Sequence, residues 1–168
     1  MQPPIQFIAA FEAAGWSNTR HVAVHAAVPV DHPARELLAC FGGLHVFPKS
    51  DSGIECGTSD VDFQFVDHRW HVIDEWEKLL AVRLCGVALA SETYEQIWLA
   101  ADGRVFASND VTDDFSFVGA KINDAICNLL SGIRHRPLLL PGETGTMIYG
   151  ETMLIGDPRV YEWSPVEQ

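Results

Sequence analysis

The sequence predicts an α+β protein, a single domain in which helices pack on a mostly antiparallel or mixed sheet. Strand patterns are concentrated in residues 61–107, and helical patterns lie before and after them. Strands segregated from helices in this way are typical of the α+β class. The chain has 168 residues, of which 48% are hydrophobic and 20% are charged. This length and composition suffice for one hydrophobic core and argue against a disordered chain.

The N-terminal part of the chain predicts one helix and one extended segment. Residues 5–14 carry apolar side chains at helical spacing, and Gly15 supplies a stop signal. Residues 21–30 alternate and are rich in valine, which favours an extended backbone.

A second helix is predicted to begin at Asp31-His32-Pro33, where a cap residue precedes a proline of the first turn. Its apolar stripe consists of Leu37, Leu38 and Phe41. Gly42-Gly43 ends the helix, because glycine adopts the left-handed conformation that follows many helices. Residues 44–47 are a predicted strand, and residues 49–60 are a polar loop.

The central part of the chain predicts two strands, a helix between them and a β-hairpin. Residues 61–66 alternate between apolar and polar side chains, and residues 84–90 are a continuous apolar run of strand length. Residues 72–82 carry a weak helical stripe between them. Residues 97–107 predict a β-hairpin that turns at Asp102-Gly103, since an aspartate–glycine pair between apolar segments is a strong hairpin signal.

The C-terminal part predicts one more helix, over residues 117–131, which Gly132 follows. Residues 146–149 and 153–155 are a candidate pair of strands. We expect the strands between residues 61 and 107 to form an antiparallel meander and the helices to cover one face of it.

The charge balance restricts the partners that the protein can bind. There are 23 acidic residues against 11 basic ones, which gives a net charge of −12 and an isoelectric point near 4.8. Such a chain repels phosphate backbones, so we expect no direct nucleic-acid binding. A basic protein is the favoured macromolecular partner. Most of the imbalance comes from residues 51–77, where Arg69 is the one basic residue.

The acidic residues form the predicted partner-binding set, together with a tryptophan among them. The set consists of Asp60, Asp62, Asp67, Trp70, Asp74, Glu75, Glu77, Asp113 and Asp114. The carboxylates would steer a basic partner, and a buried aromatic anchor such as Trp70 would supply affinity. The alternative is a solvated acidic face, with Trp70 and Trp76 in the core.

Five segments occur in the order and spacing of one known family. They are residues 11–16 (FEAAGW) with Arg20, residues 37–44 (LLACFGGL), the apolar strand around Gly86, residues 98–106 (WLAADGRVF) and residues 122–132. Together they resemble the SUKH superfamily, in particular its third immunity subgroup. The resemblance covers residues 5–134, and the chain departs from the family after Arg136.

The resemblance implies a SUKH-like immunity domain over residues 1–136 and an extension over residues 137–168 that packs on the same domain. It implies a non-catalytic bacterial protein of a polymorphic toxin system, which binds and neutralises a cognate toxin domain, with a basic nuclease as the favoured toxin. It implies no cofactor, and the matched glycines and aromatics are structural. The alternative function is an intracellular scaffold or regulatory module of the Smi/Knr type.

A second alternative is a small metal-dependent hydrolase. Its ligands would come from the cluster Asp67, His68, His71 and Asp74. Polar surface residues around Trp70 are the more ordinary interpretation, and the four scattered cysteines form no metal-binding pair. We therefore predict no metal site. The chain has no apolar stretch of about 20 residues and no basic N-terminal region, so we expect a cytoplasmic protein that does not bind membranes.

Overall fold

The computed structural model describes residues 1–67, 71–92, 94–109 and 114–164. Its main feature is a seven-stranded antiparallel sheet in which the strands follow one another in chain order. The strands are β1 (His45–Val46), β2 (Val61–Val66), β3 (Leu84–Ala90), β4 (Glu95–Ala100), β5 (Val105–Asn109), β6 (Asp114–Gly119) and β7 (Arg136–Pro137). A separate hairpin consists of β8 (Gly145–Ile148) and β9 (Glu151–Leu154).

The helices lie on both faces of this sheet. They are α1 (Ile8–Ala13, preceded by a 3-10 turn at Ile5–Phe7), α2 (Ala34–Phe41), α3 (His71–Leu80) and α4 (Ile122–Ser131). Side chains of α1, α2 and α4 share a core with one side of the sheet, which we call the first face. Side chains of α3 share a core with the other side, which we call the second face. The predicted α+β class is therefore confirmed.

The expectation that the helices cover one face of the sheet is wrong. The central strands are apolar on both sides: Ile97 and Leu99 of β4 enter the first-face core, while Trp98 and Ala100 enter the second. A strand that is buried on both sides needs cover on both sides. The continuous apolar runs of β3 and β4 are explained by this arrangement.

The predicted hairpin is confirmed as β4 and β5, paired from Glu95 with Asn109 to Leu99 with Val105. The turn has a positive φ at Gly103 (96°) but not at Asp102. Asp102 instead fixes the turn through its carboxylate, which accepts a hydrogen bond from the Arg104 amide at 3.1 Å. A single left-handed glycine is typical of the three-residue hairpin loop.

Two predicted elements differ from the structure. Residues 117–119 belong to β6, and α4 begins only at Ile122, where the apolar stripe begins. The change of direction requires Gly119, since a Cβ there would lie 2.6 Å from the Ala125 amide nitrogen. Residues 21–30 form no strand, and their backbone contacts α2 instead, with the Val22 amide bonded to the Ala39 carbonyl at 2.9 Å.

The C-terminal segment completes the second-face core. The rings of Trp76 and Trp163 lie 5.2 Å apart, edge to face, and Tyr161 stacks on Phe117 at 4.2 Å. The Trp163 indole N–H donates to the Leu139 carbonyl at 3.0 Å. The candidate strand pair near residues 146–155 is confirmed as β8 and β9.

Within the described ranges, none of the helices is long and apolar enough to cross a membrane.

Candidate partner-binding site

The second face of the sheet carries a groove at its β1 end. The groove has a volume of about 710 Å³ and lies over β1, β2 and the turn that joins β3 to β4. We call it the acidic groove. The side chains that define it are His45, Phe47, Asp51, Asp60, Asp62, Leu89, Glu92 and Tyr94.

Strand register places the floor of the groove. His45 of β1 is paired with Asp62 of β2, and Asp62 is paired with Leu89 of β3. Directly paired residues of antiparallel strands point to the same face. Val61 and Phe63, the neighbours of Asp62, enter the first-face core, so the row of three lies on the second face.

Asp60 holds the parts of the groove together. Its Oδ2 accepts a hydrogen bond from Nε2 of His45 at 2.6 Å, and its Oδ1 accepts one from the Glu92 amide at 2.9 Å. Burial alone would raise the pKa of Asp60, but these two hydrogen bonds outweigh it and the pKa is lowered. Asp60 is therefore ionised at neutral pH and joins β1 to the β3–β4 turn.

The β3–β4 turn has an unusual backbone. Ser91 and Glu92 have φ values of 52° and 56°, in the left-handed region that non-glycine residues rarely adopt. The turn is held by Asp60 and by a hydrogen bond of 2.8 Å between the hydroxyls of Ser59 and Ser91. This conformation places Glu92 and Tyr94 along the groove.

The loop that carries Asp51 is anchored to the end of α4. The amides of Ile54 and Cys56 donate to the carbonyls of Ser131 and Gly132 at 2.8 and 3.0 Å. A Cβ at Gly53 would lie 2.5 Å from the Gly132 Cα, so this close approach requires glycine. The anchor fixes the loop beside β2.

The structure separates the acidic residues that the sequence groups together. Asp60 and Asp62 lie in the acidic groove, whereas Asp67 is exposed after β2 beside a different cavity. Asp74 and Glu75 are exposed on α3, on another part of the surface.

Three further residues of the predicted set or its alternatives have other placements, and two lie outside the described residues. Glu77 accepts a hydrogen bond from the Leu84 amide at 2.6 Å and so fixes the start of β3. Asp114 is half-buried at the start of β6. Trp76 is only 1% exposed and belongs to the core, as its alternative interpretation predicted. Trp70 and Asp113 lie outside the described residues.

Six of the eight groove residues were not in the predicted set, namely His45, Phe47, Asp51, Leu89, Glu92 and Tyr94. Phe47 and Tyr94 are 61% and 59% exposed, although both are large aromatic side chains. Phe47 was predicted as the end of a strand, and Glu92 lies between two predicted strands. The one available signal was the polar stretch at residues 91–96 between two apolar strands.

A metal site can be sought only among the residues that the structure describes. There, no three histidine, cysteine, aspartate or glutamate side chains converge to hold a metal ion. Two of the four ligands of the hydrolase alternative, His68 and the side chain of His71, lie outside the described residues.

The fold and the groove define a small acidic α+β domain with an aromatic-lined acidic surface. The family model described as SUKH-3 immunity protein matches residues 4–132, which span α1 to α4 and the whole groove. The chain therefore belongs to the SUKH-3 immunity protein family, and the resemblance seen in the sequence is confirmed. No curated protein and no solved structure gives a significant match.

Proposed function

We propose that the protein is a cytoplasmic bacterial immunity protein that binds and neutralises a cognate toxin domain, and that this toxin is a basic nuclease. The immunity role follows from the family. The acidic groove is the observation that supports a basic partner, because it gathers the carboxylates of Asp51, Asp60, Asp62 and Glu92 in one concave surface. In this proposal the protein inhibits the toxin by binding to it and performs no catalysis.

The electrostatics of the chain suit rapid capture of a basic protein. A net charge of −12 attracts a positively charged partner over about 8–10 Å at physiological salt. Complementary charges raise the association rate and the specificity more than the affinity. Exposed aromatic side chains such as Phe47 and Tyr94 supply the affinity once the surfaces meet.

A nuclease is the favoured toxin because its substrate is a chain of phosphates. A surface that binds nucleic acid carries lysine and arginine side chains that neutralise those phosphates. Carboxylates arranged in a groove compete for the same basic side chains. The immunity protein therefore blocks the substrate-binding surface of the nuclease in this proposal.

The test uses the toxin encoded by the neighbouring gene. The full chain and the toxin domain are produced together in bacteria, and the purified proteins are mixed at 50 and 300 mM salt. We expect the chain to restore growth and to form a complex whose association slows at the higher salt. The absence of both protection and a complex would contradict the proposed function. Protection without salt dependence would contradict a basic partner.

A further inference from the structure

We propose that the acidic groove is an arginine-binding site. In this proposal, which rests on the proposed function, a segment of the basic toxin inserts an arginine whose guanidinium stacks on Phe47 or Tyr94 and pairs with Asp62 or Glu92. Three features support it: carboxylates whose oxygens are not all in use, exposed aromatic rings, and the way in which the chain holds its own arginines.

The carboxylates of the groove differ in how many hydrogen bonds their oxygens already accept from the protein. Both oxygens of Asp60 accept hydrogen bonds from within the protein. Asp62 accepts one hydrogen bond on Oδ2, from the side-chain Nε2 of Gln64 at 2.7 Å. Over residues 1–67, 71–92, 94–109 and 114–164, no hydrogen bond or ion pair involves the side chain of Asp51 or Glu92. The groove therefore offers negative charge that the protein itself does not neutralise.

The two rings of the groove are also largely uncovered. Phe47 is 61% exposed and Tyr94 is 59% exposed, and both line the same cavity as the carboxylates. Aromatic side chains of this kind are enriched at protein interfaces and become energetically important when a partner buries them.

A buried acceptor lies beside the groove. Gln96 of β4 is paired with Leu89 of the groove floor, so it lies on the same face of the sheet as Asp62. Gln96 is 6% exposed, and its Oε1 is buried with no hydrogen-bond partner in the described part of the chain. Buried polar atoms without a partner are rare and point to a missing donor. Gln96 itself does not line the groove, so its Oε1 is not part of the proposed site.

Elsewhere in the chain, an aromatic ring and a carboxylate together hold an arginine side chain. Arg134 lies over the ring of Tyr149 at 5.2 Å and pairs with Glu151 at 2.8 Å. The same arrangement recurs at Arg104, Phe106 and Asp102. In the acidic groove the ring and the carboxylate are both present, and none of the arginines that the structure describes in ring contacts lies on Phe47 or Tyr94.

Arginine fits this set better than lysine. Its guanidinium is planar, so it stacks on an aromatic ring and donates two parallel hydrogen bonds to a carboxylate at the same time. Lysine is a more strongly hydrated point charge and makes neither contact as well. A volume of about 710 Å³ exceeds one side chain, so the groove also accommodates residues that flank the arginine.

The experiment compares two blocked five-residue peptides, Gly-Ser-Arg-Ser-Gly and Gly-Ser-Lys-Ser-Gly. Each is titrated into the full ¹⁵N-labelled chain, and amide chemical shifts are followed. We expect shifts confined to residues 45–51, 58–62 and 89–96 and an affinity for the arginine peptide at least about threefold higher than for the lysine peptide.

Two variants separate the contributions. Replacing Phe47 and Tyr94 by Leu removes the rings, and we expect the preference for arginine to disappear. Replacing Asp62 by Asn and Glu92 by Gln should weaken both peptides. The matched control is Asp124→Asn with Glu162→Gln, which removes the same charge from exposed positions outside the groove and should leave both affinities unchanged. The spectrum of each variant verifies its fold.

Equal affinities for the two peptides, or shifts outside the groove, would overturn the arginine site. Unchanged toxin binding by the Phe47→Leu, Tyr94→Leu variant would overturn it as well. If the wild-type chain binds no toxin, the proposed function fails, and the peptide titrations still decide whether the groove prefers arginine.

Discussion

On the second face of the sheet, aromatic side chains are buried near the centre and exposed at the β1 end. Trp76 and Trp98 are each 1% exposed and share one core with Phe106 and Phe115, in which the rings of Trp76 and Phe106 both stack on Phe115. In the acidic groove, Phe47 is 61% exposed. The same class of side chain therefore has opposite environments on one face.

The two regions differ in whether other elements cover their aromatic side chains. The central aromatics are covered by α3 and by the C-terminal segment, whose Trp163 packs edge to face on Trp76. The groove is lined by carboxylates, and burying these charged groups under an apolar segment would cost free energy. We infer that the covered half provides stability and that the groove provides recognition. If the two roles are separable, a substitution in one half leaves the role of the other half unchanged.

The largest effect is expected for Trp98→Ala in the covered half. The substitution removes a fully buried indole and its hydrogen bond of 2.9 Å to the Ser108 hydroxyl. Loss of a buried aromatic of this size destabilises a domain by about 3–5 kcal/mol. Urea unfolding measures the change. A loss below about 1 kcal/mol would mean that the cluster does not carry the stability assigned to it.

A smaller loss is expected for Trp163→Ala, at the edge of the covered half. Trp163 is half-buried, so the substitution removes the ring contact with Trp76 and the hydrogen bond to Leu139 but leaves less of a cavity. We expect a destabilisation of about 1–3 kcal/mol and unchanged peptide binding in the groove. Weakened peptide binding by the folded variant would show that the two halves are coupled.

Much of the fold was predictable, because local patterns determine it. The strand at residues 61–66 alternates, and the run at residues 84–90 is apolar throughout; both match β2 and β3 without a shift. The hairpin was predictable from Asp102-Gly103. The errors came from long-range effects. Residues 117–119 fit a helix by hydrophobicity, but their neighbours in β5 draw them into the sheet.

The groove was only partly predictable. Asp60 and Asp62 were found because acidic residues cluster in that part of the sequence. Glu92 and Tyr94 were missed because they are about 30 residues away along the chain and reach the groove only through the pairing of β2 with β3. Clustering in sequence also overestimated the site, since Asp74 lies on α3.

The third prediction compares the groove with α3 by removing equal charge from each. One variant carries Asp62→Asn and Glu92→Gln, and the other carries Asp74→Asn and Glu75→Gln. Because local charge steers association, we expect the groove variant to bind the toxin about three- to tenfold more slowly at low salt, with a flatter salt dependence. The helix variant should change the rate less. Stability should shift by only about 0.5 kcal/mol in each.

Stopped-flow kinetics at two salt concentrations measure these rates. Equal slowing in both variants would mean that the acidic residues act through net charge alone. Slowing only in the helix variant would place the interface on α3.

The smallest effect is expected for Asp60→Asn, and it depends on pH. The pKa of Asp60 is lowered from its ordinary value of 3.8, since the hydrogen bonds from Glu92 and His45 outweigh the effect of burial. A folded-state pKa below the unfolded one means that the ionised carboxylate stabilises the fold above pH 3.8. That contribution is lost as the pH falls through the lowered pKa, where the folded state also takes up the proton.

We therefore expect Asp60→Asn to destabilise the protein by less than about 1 kcal/mol at pH 7, because the pair with His45 is near the surface. Below pH 3.8 the difference from the parent should shrink, since both proteins then carry a neutral side chain at this position. Urea unfolding of the two proteins at pH 7 and pH 3 tests this, with Asp124→Asn as the control for an exposed carboxylate. A difference that is the same at both pH values would show that Asp60 holds the β3–β4 turn by shape and hydrogen bonding, without a contribution from its charge.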